Sequence, residues 1–143
     1  MKISGLFHRS VRHALLLPVI LSGLQALAQQ SAGCVLQPKE FQEKYRNAPG
    51  IVVDVRTPEE CAEGIIEGAV QIDFRASDAR ERLKQLDRAK PVYLYCAAGG
   101  RSYQAARFLR EQGYVQLCEL EGGMGAWRDA GMPVVLPGSG GKR

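Results

Sequence analysis

The sequence predicts an α/β domain with a mainly parallel sheet and helices on both faces. Three observations carry that expectation. Short apolar or β-branched runs alternate along the chain with stretches of helical periodicity. Thr, Pro and Gly fall where helices start and stop. The 143 residues, 45% hydrophobic and 24% charged, suit one globular domain able to bury a real core.

The amino-terminal segment stands apart. Lys2, Arg9 and Arg12 make a basic start, no acidic residue precedes Glu40, and an apolar run from Ala14 to Leu24 is interrupted by Pro18 and Gly23. Ala26-Leu27-Ala28 then places small residues at a cleavage point, so residues 1–28 read as a signal peptide and the mature protein as periplasmic or secreted. The run is too short and too broken for a spanning helix of about 20 residues, so no stable membrane insertion is expected after cleavage. Cys34 as a lipidation site is a competing reading; Ser31-Ala32-Gly33 lacks the large aliphatic residue usual three before such a cysteine. The leader carries 3 of the 19 basic residues and none of the 15 acidic ones, leaving the mature chain near +1. No basic stripe remains, which excludes nucleic acid as a partner.

The elements follow in order. Ile51-Val52-Val53-Asp54-Val55, after Pro49-Gly50, is a buried strand. Thr57-Pro58-Glu59-Glu60 opens a helix, with Thr57 as N-cap, Pro58 in the first turn and Glu60 closing a capping box. Ala69 to Ile72 is a short strand and Ser77 to Leu86 a helix. Pro91 to Tyr95 is the next strand. Ser102 to Gln112 carries Ala105, Ala106, Phe108 and Leu109 at helical spacing and stops at Gly113. Val115 to Leu120 is a strand, and Met124 to Ala130 a short helix ended by Gly131. The domain is expected over residues 29–136, with 137–143 a flexible tail rich in glycine.

In such sheets ligands bind beyond the carboxyl ends of the strands. Two segments fall there: Asp54-Val55-Arg56 and Cys96-Ala97-Ala98-Gly99-Gly100-Arg101-Ser102. The second ends a buried strand on a cysteine and turns through two glycines into a helix. Gly99 and Gly100 let the chain curl so that several N–H groups point inward, and the helix start adds its own unpaired amides and dipole. Cys96 in that cradle is expected to have a depressed pKa and to act as a thiolate nucleophile. The bland reading, a small buried hydrophobe, does not account for Gly-Gly-Arg-Ser following it.

Tyr95-Cys96-Ala97-Ala98-Gly99-Gly100-Arg101-Ser102 resembles the active-site loop of the rhodanese family of sulfurtransferases. Val53-Asp54-Val55-Arg56-Thr57-Pro58-Glu59-Glu60, with Gly64 and Glu67-Gly68-Ala69, is similar to that family's amino-terminal signature. Leu120-Glu121-Gly122-Gly123-Met124-Gly125-Ala126-Trp127, followed by Gly131-Met132-Pro133-Val134, is similar to its carboxyl-terminal one. The three motifs occur in order across residues 34–136. Two positions depart from the pattern: Cys61 stands where an aromatic is usual and Ile65 where a His is usual.

The resemblance implies a rhodanese-like three-layer fold on a five-stranded sheet, and a two-step reaction without metal or organic cofactor. Cys96 takes sulfane sulfur from thiosulfate or a related donor as a persulfide, then passes it to a thiophilic acceptor, cyanide or a thiol. The amides of Ala97, Ala98, Gly99, Gly100, Arg101 and Ser102 would hold the negative charge, Arg101 would attract an anionic donor, and Ser102 would bond within the loop or cap the helix. Asp54 and Arg56 read as structural support, with anion steering by Arg56 as the alternative; Trp127 and Glu121 read as structural. Phosphatases on the same fold put one more residue between cysteine and arginine. The four residues between Cys96 and Arg101 make a smaller ring, suited to a sulfur atom. The other class left open is a persulfide carrier or sulfur-binding module acting with a partner protein. In the fold the resemblance suggests, the first strand lies beside the one holding Cys118, so a Cys34–Cys118 disulfide is expected, with Cys61 free.

Overall fold

The computed structural model describes residues 33–138; the expected leader, 1–28, and the end of the tail lie outside them. Five strands form one sheet in the order β1-β5-β4-β2-β3: β1 (Cys34–Leu36), β2 (Ile51–Asp54), β3 (Val70–Gln71), β4 (Val92–Tyr95) and β5 (Leu117–Leu120). Every pairing among them is parallel. Among the described residues four helices connect them, α1 (Pro38–Asn47), α2 (Pro58–Ala62), α3 (Ala79–Lys84) and α4 (Gly100–Glu111), and a fifth, α5 (Gly123–Asp129), follows β5.

The middle strand shows why the sheet is a filled three-layer stack. All four residues of β4 are buried, and successive side chains point to opposite faces. Val92 and Leu94 join Val53, Leu83, Ala105, Ala106 and Leu109, a core under α3 and α4. Tyr93 and Tyr95 join Phe41, Leu120, Met124 and Trp127, a core under α1 and α5. Polar atoms in this second core are satisfied: the Tyr93 hydroxyl donates to the Ala48 carbonyl at 2.7 Å and the Trp127 indole N–H to the Pro133 carbonyl at 2.9 Å.

Two differences from the sequence reading have local causes. Strand β5 starts at Leu117 rather than Val115, which is 77% exposed. Its neighbour β4 starts at Val92, the partner of Leu117, and the first ladder bond between them runs from the Val92 amide to the Gln116 carbonyl at 2.8 Å. Helix α1 is the other. Pro38 occupies its first turn and the Glu40 carboxylate accepts from the Gln37 amide at 3.2 Å. Only Pro38 and Phe41 of its ten residues are buried, so its periodicity is faint.

Cys34 and Cys118 are Cα partners across β1 and β5, 4.5 Å apart, and are joined by a disulfide. Cys61 and Cys96 are free and buried.

Candidate active site

Asp54, Arg56 and Cys96 all sit at the carboxyl end of the sheet. The Val55 amide donates to the Tyr95 carbonyl at 3.0 Å, placing the chain ends leaving β2 and β4 side by side. Cys96 directly follows β4 and is 1% exposed. The chain turns at Gly99, φ +100°, and α4 begins at Gly100. The turn brings the Gly99 amide to 3.1 Å from Cys96 Sγ. Ser102 Oγ, one turn into the helix, stands 3.6 Å from the same sulfur and 3.0 Å from the Gly99 carbonyl. Burial pushes the Cys96 pKa up. The Ser102 amide and hydroxyl and the amides of Ala98 and Gly99 together outweigh that burial, so the net shift is downward. The loop therefore favours the thiolate.

A second helix holds the loop open. The Met124 amide donates to the Cys96 carbonyl at 2.8 Å and the Gly125 amide to the Ala97 carbonyl at 3.0 Å. Because the start of α5 takes the loop's carbonyls, its amides are left to face the sulfur. That approach requires Gly123: φ is +59°, and a Cβ there would collide with the carbonyl oxygen of Cys96 and the backbone of Ala97. The Gly122-Gly123 pair of the third motif is thus part of the cradle.

Asp54 and Arg56 brace the floor. Arg56 is 3% exposed, and its Nη2 and Nε meet the Asp54 carboxylate at 2.6 and 2.9 Å. Its remaining N–H groups donate to the carbonyls of Glu60 and Gly64, at 3.1 and 2.7 Å. Burial by itself would lower the Arg56 pKa, but the hydrogen bonds and charge of Asp54 raise it overall. Nε and both Nη atoms of Arg56 are thus engaged inside the protein, the bracing geometry expected of it. Cys61 lies against the same carboxylate; burial, then Asp54, push its pKa up to about 12, so it stays a thiol. Ile65, at the other departure from the motif, exchanges backbone hydrogen bonds with Val135 at 2.8 and 3.0 Å and pins the end of the domain beside the site.

Arg101, expected to attract an anionic donor, is paired in this structure. Both of its Nη atoms are bound at 2.6 Å by the carboxylate of Glu60, 41 residues away. The Glu60 pKa falls to about 2, chiefly through Arg101's hydrogen bonds, and that of Arg101 rises, chiefly through Glu60. Glu60 also keeps its expected capping role, its carboxylate accepting from the Thr57 amide at 3.0 Å. Sequence reasoning assigned it only that role. Glu121 is structural here, accepting from Gln37 Nε2 at 2.6 Å. Cys34 and Cys118 are spent in their disulfide.

This geometry is a cysteine cradled by amides at the carboxyl edge of a parallel α/β sheet. The Rhodanese-like domain family matches residues 37–130, and the chain belongs to that family. It is 39% identical to a sulfurtransferase of Allochromatium vinosum over 87 residues, covering 61% of this chain and 79% of that protein. It is 33% identical over 91 residues to the thiosulfate sulfurtransferase GlpE of Stutzerimonas stutzeri, covering 64% and 82%. Among solved structures, a rhodanese-related protein from Thermoplasma volcanium superposes with a TM-score of 0.64 at 35% identity, covering 72% of this chain and 98% of that one.

Proposed function

We propose that the protein moves sulfane sulfur from thiosulfate or a related donor to cyanide or a thiol through a persulfide on Cys96. The carrying observation is the convergence of amides and the Ser102 hydroxyl on a buried thiol, with a net fall in its pKa. In the first step the Cys96 thiolate attacks the outer sulfur of thiosulfate. The S–S bond breaks and sulfite leaves with its electron pair. The persulfide so formed keeps its negative charge among the loop amides, which supply electrostatic stabilisation already in place. The acceptor then attacks the terminal sulfur and Cys96 leaves as the thiolate, which is ping-pong covalent catalysis. The short ring from Cys96 to Arg101, closed by the Glu60 pair, favours sulfur over a tetrahedral phosphate.

Intact-mass measurement after thiosulfate treatment tests this reading. The wild type should gain one sulfur atom, lose it to cyanide as thiocyanate, and show neither change as Cys96→Ser. Phosphate release from an aryl phosphate without any sulfur gain would replace the assignment. Export is part of the same proposal. It rests on the leader pattern and on the Cys34–Cys118 disulfide, a bond that persists in oxidising compartments. Fractionation of cells expressing the full chain should recover the disulfide-bonded protein outside the cytoplasm.

A further inference from the structure

A site that captures a dianion is expected to offer it uncompensated positive charge. Here the charged side chains at the loop cancel in pairs. Arg56 is held by Asp54, and Arg101 is held at both Nη atoms by Glu60. The field of Asp73 also reaches Arg101. What remains for a ligand is the set of neutral amides around Cys96 Sγ and the end of the α4 dipole. Thiosulfate carries two negative charges toward a sulfur that is itself a thiolate, and that repulsion goes unopposed by any free cation in the loop.

We propose that Glu60 is a specificity-determining residue, which switches off Arg101 as an anion receptor and directs the site toward sulfane-sulfur donors of low charge, organic persulfides. The inference rests on the sulfur-transfer reading above and names its donor class. The step balances without an oxidant or reductant from outside. The Cys96 thiolate attacks the terminal sulfur of R–S–SH, the S–S bond breaks, R–S⁻ leaves with the electron pair, and Cys96–S–SH remains. An organic persulfide brings at most one negative charge on its sulfur, against two on thiosulfate, and so depends less on an arginine.

The test compares sulfur loading of Cys96 from thiosulfate and from cysteine persulfide, followed by intact mass against time. Wild type is expected to load faster from the persulfide. Glu60→Gln keeps an acceptor oxygen for Thr57 but frees the arginine's charge, and should raise the thiosulfate-to-persulfide rate ratio by roughly tenfold. Adding Arg101→Gln to that variant should return the ratio to the wild-type value, since the gain would come from the unmasked guanidinium. An unchanged or lower ratio in Glu60→Gln overturns the proposal. A measurement on wild type alone keeps it decidable should the variants fold poorly: thiosulfate loading should hold or rise from low to high salt as the repulsion is screened, and a steep fall with salt overturns it. Wild type that loads from neither donor would instead remove the sulfur-transfer reading itself.

Discussion

At the scale of single residues, the chain carries two free cysteines with opposite fates. Both are buried, and burial raises the pKa of each. Cys61 faces the Asp54 carboxylate and is pushed up to about 12. Cys96 faces amide and hydroxyl donors and is pulled below its ordinary value. Alkylation by iodoacetamide at neutral pH should therefore fall on Cys96 and spare Cys61 in the folded protein. The rate should rise with pH and level off at a midpoint below that of an ordinary thiol, because the thiolate is the reactive form. Ser102→Ala removes one of the donors to the sulfur, so the midpoint should move up; peptide mapping across the pH series checks both. Glu60 makes a separate prediction about stability. Its folded pKa of about 2 lies below the ordinary glutamate value of 4.5, so the pair with Arg101 stabilises the fold above about 4.5. That contribution is lost as pH falls through about 2. The melting-temperature gap between wild type and Glu60→Gln should close over that window, and a gap that persists at the acid end would refute the pairing as its source.

At the scale of elements, legibility tracked how local each signal is. The strands β2 and β4 were readable because both faces of each are buried, which leaves nearly continuous apolar runs. Helix α2 was readable because Thr57, Pro58 and Glu60 form a cap within four residues. Helix α1 was not, since its start is Gln37 and its buried face is little more than Phe41. Cys96 and the loop were legible from their own glycines. The Glu60–Arg101 pair was not, because no local pattern joins residues 41 apart. The role of Gly123 was hidden for a related reason: its motif could be recognised, but the carbonyls it approaches belong to another element. Gly123→Ala would force αL geometry on a residue with a Cβ and drive that Cβ into Cys96 and Ala97. Gly99→Ala meets nothing closer than the Gly122 nitrogen at 3.9 Å and suffers only from its φ of +100°. Each αL position costs about 1–3 kcal/mol for a residue other than glycine. Gly123→Ala should sit at or beyond the upper end, with Cys96 loading lost, and Gly99→Ala at the lower end. Urea melts alongside loading rates would distinguish them, and equal effects would contradict the role given to α5.

At the scale of the whole molecule, the disulfide and the reactive cysteine occupy different ends of the sheet. Cys118 pairs in register with Tyr93, three residues before Cys96, which at the rise of a strand is about 10 Å along the sheet. Neither Cys34 nor Cys118 is placed to attack a persulfide on Cys96, and their bond removes both from thiol chemistry. What it does for the fold follows from topology. β1 is an edge strand of three residues, paired on one side only, and α1 leads from it back to the sheet. So short an edge adds little burial of its own, and the bond closes a sequence separation of 84 residues. Chain-entropy arguments put a loop of that length at about 4–5 kcal/mol, with typical measured effects of 2–4. The Cys34→Ala, Cys118→Ala double variant should therefore lose about 2–4 kcal/mol by urea denaturation. It should still load sulfur on Cys96 at the wild-type rate under conditions where it is folded. The separation of these two readouts is the decisive point. A variant that keeps its stability would mean β1 holds by packing alone, whereas one that stays folded but loads slowly would mean the disulfide end and the cradle communicate through β4 and β5.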